Sequence, residues 1–207
     1  MTSKRFYMWE SALMVAVAVT LLVGCCASVR QSALAGQVLR LHVVANSDSE
    51  ADQAVKLQVR DAVLDQAQPA LEGVTDSWDA EAVLTPMLPQ LEQTARSVLE
   101  EQGLEDHVTV MLTDQWFPTR EYGEFALPAG QYRALKVVIG EGKGQNWWCV
   151  VFPPLCLASV SEEVAVAAMQ GGLSEEQVAL ITGQDGTYVL KFKVIEWWEQ
   201  LKQMIKG

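Results

Sequence analysis

The 207-residue sequence is poor in the residues from which most active sites are built. It has only two histidines, His42 and His107, and neither has a neighbour at the spacing of a metal site. It also lacks a phosphate-binding loop ending in Gly-Lys-Ser/Thr, a Gly-x-Ser-x-Gly elbow and a His-Glu-x-x-His helix. We therefore expect hydrogen-bonded structural roles for both histidines, no catalytic residue, no metal and no other cofactor.

Positive charge is also scarce. The chain has 15 lysines and arginines against 26 aspartates and glutamates, which gives a net charge of −11. Removal of residues 1–35 would take away three basic residues and one acidic residue, and so bring the charge to −13. Such an acidic body argues against binding to nucleic acid or to anionic lipid, because both carry negative charge.

The N-terminus has the layout of an export signal, with Lys4-Arg5 placed before an apolar run from Ala12 to Val23. Three fates of this segment are open. Ala33-Leu34-Ala35 has the small-x-small form of a signal peptidase site, whereas Leu22-Val23-Gly24-Cys25 resembles a lipoprotein box. The third is an uncleaved membrane anchor. All three place the rest of the chain, residues 36–207, outside the cytoplasm.

Cysteine is scarce in the body of the chain. Of the four cysteines, Cys25 and Cys26 belong to the N-terminal segment, which leaves Cys149 and Cys156 for the folded part. An even pair in an exported domain predicts a disulfide between these two residues. The alternative is a pair of buried thiols that behave as small hydrophobic groups.

Apolar periodicity predicts the first elements of the fold. Residues 37–45 form an apolar, β-branched run typical of a central strand. Ser47, with Glu50 three residues later, predicts a capping box for a helix that ends before Pro69. A second helical stretch, residues 76–103, contains Pro86 and Pro89 and should be kinked near its middle.

The second half of the chain predicts more strands. Residues 107–113 alternate, as in a half-buried strand. Segments 120–127 and 131–139 are separated by Pro128-Ala129-Gly130, which predicts an antiparallel hairpin. A glycine-rich connection, residues 140–144, then leads to Trp147-Trp148, a segment expected to cap the sheet.

After Leu157 the pattern is weaker. It indicates short helices at 164–169 and 174–181, the second with a Ser174–Gln177 capping box, and an amphipathic helix from Val194. In total we predict an α+β fold with a single two-layer domain. Its mostly antiparallel sheet has about four strands, in the order strand, helix, helix, three strands, and it carries a helical C-terminal extension.

Six stretches resemble the stage II sporulation protein R family. They are LRLHVVANSDSE at 39–50, KLQVRDAVL at 56–64, FPT at 117–119, YG at 122–123, LPAGQY at 127–132 and NWWCVVFPPLC at 146–156. The resemblance covers residues 39–156 as the family core. Strings of this length and order are specific, so chance agreement is a poor explanation.

The resemblance implies a signalling role in endospore formation. Members of this family are made in the forespore and exported into the space between the two membranes. There they activate the membrane-bound aspartic protease of the mother cell, which removes the inhibitory pro-sequence from the sigma-E precursor. That implied partner is a protein, and activation would be a binding event rather than an enzymatic reaction.

We predict that the partner-binding surface combines the loop Asn46-Ser47-Asp48 with the segment Asn146-Trp147-Trp148, because residues at element ends commonly carry function. Two alternatives stay open. One is an exported hydrolase whose site would need His42, Asp48 and Cys149 to converge. The other is a passive envelope scaffold, which would leave sigma-E activation intact when deleted.

Overall fold

The computed structural model describes residues 2–123, 125–156 and 161–183. Its helices are α1 (Thr2–Ala35), α2 (Glu50–Ala67), α3 (Ser77–Leu84), α4 (Leu88–Glu101), α5 (Ser161–Gln170) and α6 (Glu175–Thr182). Its strands are β1 (Leu39–Val44), β2 (Val108–Phe117), β3 (Arg120–Glu121), β4 (Ala126–Leu127), β5 (Gly130–Ile139) and β6 (Asn146–Phe152). No helix in these ranges combines the length and the apolar character needed to cross a membrane. The predicted helix from Val194 lies outside the described residues.

Four strands form one mixed sheet in the order β2-β5-β1-β6. β1 runs parallel to β5, whereas β1 with β6 and β2 with β5 are antiparallel. The two-residue strands β3 and β4 pair only with each other. The predicted α+β fold with a mostly antiparallel four-stranded sheet is confirmed, and the parallel pair is made possible by the long helical crossover between β1 and the later strands.

The predicted hairpin is wrong. Segment 126–127 pairs with β3, whereas β5 pairs along its whole length with β2, from Val108 opposite Ile139 to Phe117 opposite Gly130. This ten-residue ladder outweighs the local turn preference of Pro128-Ala129-Gly130. The Trp147-Trp148 segment is also not a cap, since it forms β6, the edge strand beside β1.

The helix signals are largely confirmed, with one displaced start. The N-cap of α2 is Ser49, whose side chain accepts a hydrogen bond from the Asp52 amide, so the predicted cap at Ser47 is wrong. A short 3₁₀ turn at Thr85–Met87 separates α3 from α4 at the two prolines. The Ser174–Gln177 capping box at α6 is present.

Each face of the sheet carries its own hydrophobic cluster. On one face, Leu39, Leu41 and Val43 of β1 pack with α2, α3 and α4. The other cluster joins Leu34 of α1 and residues from β2, β5, α5 and α6. Because side chains alternate along a strand, the residues of β1 between the three leucine and valine positions point to this second face.

Candidate functional site

The two segments predicted to bind a partner lie next to each other in the structure. Loop 46–48 follows β1 directly, and residues 146–148 open β6. Since β6 is antiparallel to β1, the end of one strand meets the start of the other, with Val44 opposite Asn146. All six predicted residues therefore gather at one end of the sheet edge.

Hydrogen bonds join the loop after β1 to the connection before β6, and we call residues 45–48 and 140–146 the paired loops. The Glu141 amide donates to Asn46 Oδ1 at 3.0 Å, and the Gln145 amide donates to Asp48 Oδ1 at 2.7 Å. Gly144 approaches so closely that a Cβ there would lie 2.2 Å from the Ser47 carbonyl oxygen. Only glycine fits this position, so the glycine-rich connection has a defined conformation and is not a flexible linker.

Side chains at the start of α2 form hydrogen bonds with the paired loops. Ser47 Oγ donates to the Asp52 carboxylate at 2.5 Å, and Gln53 Nε2 donates to the Ser47 carbonyl at 2.8 Å. Lys56 is buried and donates to the Gln145 carbonyl at 3.1 Å. Ser47 thus faces inward and ties the loop to the helix, whereas Asp48 is exposed.

His42 connects this end of the sheet to β2. Its Nε2 lies 2.7 Å from the acceptor Asn146 Oδ1, and its Nδ1 lies 2.7 Å from the donor Gln115 Nε2. Burial lowers the pKa of His42, against the effect of these two hydrogen bonds. The ring is therefore neutral at pH 7, and the hydrogen-bonded structural role predicted for His42 is confirmed.

The two tryptophans of β6 point to opposite faces of the sheet. Trp147 keeps 36% of its surface exposed, and the Arg60 guanidinium of α2 lies 4.4 Å from its ring centre. Trp148 is half-buried against His42 and Phe117, and Arg120 covers its ring at 3.9 Å. Trp147 is consequently available to a partner, whereas the contacts of Trp148 are mainly with its own domain.

Cys149 and Cys156 are joined by a disulfide, with their Cα atoms 5.7 Å apart, a normal separation for such a bond. Cys149 pairs with Leu41 and belongs to the cluster under α2–α4, so it faces away from His42. His42, Asp48 and Cys149 therefore form no common site, so the convergence that the hydrolase alternative required is not found. Within the described ranges, no three His, Cys, Asp or Glu side chains could together hold a metal ion.

Sequence patterns did not reveal the most unusual residue near this site, the completely buried Arg40 of β1. Its guanidinium lies 4.2 Å from the ring centre of Phe117 and 4.9 Å from that of Tyr132, and it donates a hydrogen bond to the hydroxyl of Tyr122. Burial lowers the pKa of Arg40 and raises that of Tyr122. A charged residue within an otherwise apolar strand was the available signal.

Comparison with known proteins gives a consistent result. The family model described as Stage II sporulation protein R matches residues 35–162, which is more than half of the chain. The chain therefore belongs to the stage II sporulation protein R family. A curated relative, Stage II sporulation protein R of Bacillus subtilis (strain 168), is 33% identical over 183 residues, covering 80% of this chain and 81% of the relative. No solved structure matches the chain.

Proposed function

We propose that this chain is an exported signal that activates the membrane-bound aspartic protease responsible for processing the sigma-E precursor. Membership of the stage II sporulation protein R family, through the match over residues 35–162, carries this proposal. A role in sporulation follows directly from the family. The protease as partner, and the space between forespore and mother cell as the place of action, belong to the proposal.

The paired loops and Trp147 support a binding mode of action. Asp48 and Trp147 are both exposed, and both sit on a backbone held by hydrogen bonds to neighbouring elements. A rigid surface loses little conformational entropy when it binds, which favours affinity. A partly exposed tryptophan stacked on an arginine also combines the two residue types that dominate interface energies.

Activation by binding requires the protease to have two arrangements. The exported chain would then favour the active arrangement by binding it more tightly than the inactive one. An exposed surface that binds one arrangement is sufficient for this role, and no reacting group is needed on the signal itself. The failure of His42, Asp48 and Cys149 to converge supports this choice over the hydrolase alternative.

The proposal is tested by sigma-E precursor processing in cells that carry the protease and its substrate. The full chain is exported toward these cells, and a variant with arginines placed within Ala12–Val23 serves as the export-blocked control. We expect cleavage of the precursor only with the exported chain. Absence of cleavage with a folded, exported chain would contradict the proposed function.

The binding surface is tested with Trp147→Ala, using Trp78→Ala as the matched control. Trp78 is also exposed, at 79%, but it lies at the start of α3. Loss of an interface tryptophan that matters costs about 2 kcal/mol or more, which is roughly a 30-fold loss of affinity. We expect activation at limiting concentration to fall by that order for Trp147→Ala and to stay unchanged for Trp78→Ala. Equal activity of both folded variants would place the surface elsewhere.

A further inference from the structure

The last turn of α1 differs from the rest of that helix. Gln31, Leu34 and Ala35 are 5%, 0% and 7% exposed, whereas Leu22 and Val29 are 66% and 64% exposed. Leu34 and Ala35 belong to the second hydrophobic cluster, together with Phe117, Tyr132 and residues of α5 and α6. The predicted export segment therefore ends inside the hydrophobic core of the domain.

The surface against which this turn packs is closely complementary to it. Gly130 lies so close to Gln31 that a Cβ on the glycine would stand 1.8 Å from Gln31 Nε2. The φ of Gly130 is not positive, so a larger residue would cause no backbone strain there, but it would force the buried Gln31 amide to move. Ser77 Oγ donates at 2.5 Å to the carbonyl of Gly36, the residue that follows the turn, and cleavage after Ala35 would leave this bond in place. We call the surface that receives the turn the α1 socket, formed by Gly130 and Tyr132.

Removal of the turn would leave the socket open. A cleft of about 590 Å³ already runs beside it, lined in part by Gln31, Ala35, Trp78 and Tyr132. Loss of Leu34 would extend this cleft into the apolar cluster and would expose side chains that are now fully buried. Cleavage after Ala35 would thus cut a helical, buried turn and remove part of the core.

We infer that the folded exported protein retains residues 31–35 and that any processing of its N-terminus takes place before Gln31. The α1 socket is then an interaction surface for the chain's own N-terminal segment, and the predicted domain boundary after Ala35 moves toward the N-terminus. Among the three fates considered for the segment, processing at Cys25 and an uncleaved helix both keep the turn. Cleavage after Ala35 does not.

The first test is the N-terminus of the exported product. The full chain is expressed in a bacterium that exports it, and the folded product is analysed by intact mass and N-terminal sequencing. A product that begins at or before Gln31 supports the inference, whether it starts at Cys25 or at Met1. A folded product that begins at Gly36 overturns it. Neither result depends on protease activation, so the proposed function can fail independently.

The second test is a double-mutant cycle between Gly130 and Gln31 in the full chain. Gly130→Ala should lower the melting temperature by about 2–4 °C, because the added methyl group would displace the buried Gln31 amide. Shortening the opposing side chain should recover most of the loss in the Gly130→Ala, Gln31→Ala double variant. Val29→Ala, on the exposed part of the same helix, is the control and should have no effect.

The cycle has a clear opposite outcome. If the socket were empty in the exported protein, Gly130→Ala would be neutral, and Gln31→Ala would not change its effect. That result would overturn the inference even if every variant folds. If Gly130→Ala fails to fold, recovery of folding in the Gly130→Ala, Gln31→Ala double variant still supports the inference. The inference is contradicted if both Gly130→Ala and the double variant fail to fold while Gln31→Ala folds.

Discussion

The two faces of the central sheet are packed by different means. On the face covered by α2, α3 and α4, the side chains of β1 are Leu39, Leu41 and Val43, and the cluster is apolar throughout. On the opposite face, the same strand places Arg40 and His42 among aromatic rings. β1 thus contributes apolar side chains to one face of the sheet, and a buried arginine and a buried histidine to the other face.

The comparison distinguishes the side chains that stabilise the fold from those that position the strand at the candidate binding surface. Burying an aliphatic side chain contributes about 1.5–3 kcal/mol, and this contribution does not depend on a directional bond to a specific partner. A buried guanidinium or imidazole costs free energy unless its hydrogen bonds are met. His42 links Asn146 of β6 to Gln115 of β2, so the polar face positions the strand that carries Trp147. We infer that Arg40 and His42 themselves contribute shape rather than stability, whereas the surrounding hydrophobic cluster stabilises this face.

The largest effect should come from the apolar face. Leu41 is fully buried under the helices, so Leu41→Ala removes apolar contacts and leaves a cavity. We expect the free energy of unfolding to fall by about 3–4 kcal/mol, measured by denaturant unfolding of the purified protein. Met111→Ala, at a residue of β2 with 37% exposure, is the control and should cost much less. Equal losses of unfolding free energy in Leu41→Ala and Met111→Ala would show that the helices do not exclude water from this face.

The neighbouring residue on the polar face should behave differently. Among the described residues, Arg40 has no carboxylate partner, and its Nη1 has no hydrogen-bond partner. Desolvation of a buried charge costs several kcal/mol, and the contacts of Arg40 with the rings and its hydrogen bonds to Tyr122 and the Cys149 carbonyl offset only part of that cost. Methionine fills a similar volume and packs well against aromatic rings. We therefore expect Arg40→Met to raise the free energy of unfolding by about 1 kcal/mol, in the same denaturant assay.

Two comparisons sharpen this prediction. Arg40→Ala leaves a cavity and should be less stable than Arg40→Met, which separates lost volume from lost charge. A decrease of about 2 kcal/mol or more in Arg40→Met would contradict the view that the guanidinium is a net cost. If the variant is stable but loses activation of the protease, Arg40 contributes to the shape of the binding end and not to folding.

The two faces also differ in how far they could be predicted. The apolar face follows from local sequence patterns, because the apolar run of β1 indicates a buried strand without knowledge of any partner. The break between α3 and α4 was equally predictable, since Pro86 acts through its own ring and missing amide. Sequence patterns predict these features correctly because each feature depends on residues that are close together in the chain.

The polar face depends on contacts between distant residues. Arg40 is surrounded by Phe117 of β2 and Tyr132 of β5, which the β2–β5–β1 order brings together, and by Tyr122 from the connection after β3. The hairpin at Pro128 was mispredicted for the same reason, because a ladder with β2 outweighs a favourable turn. At the candidate site, the ends of β1 and β6 were predicted to matter, but their convergence in the paired loops requires the antiparallel register of these strands.

The smallest predicted effect is a pH dependence that arises on the polar face. The folded-state pKa of His42 lies below 6.5, mainly through burial, with Lys136 and Arg40 acting in the same direction and the hydrogen bonds from Asn146 and Gln115 opposing them. As pH falls through about 6.5, the unfolded chain takes up a proton that the folded protein resists, so stability is complete above this value and decreases below it.

His42→Gln removes the titrating group while keeping a polar side chain at the same position. Between pH 7.5 and 5.5, we expect the free energy of unfolding to fall more steeply in the unaltered protein than in this variant. His107 is present in both proteins and cancels from the difference. Parallel pH profiles would mean that His42 is as easily protonated in the fold as in the unfolded chain, and the polar face would then be hydrated rather than buried.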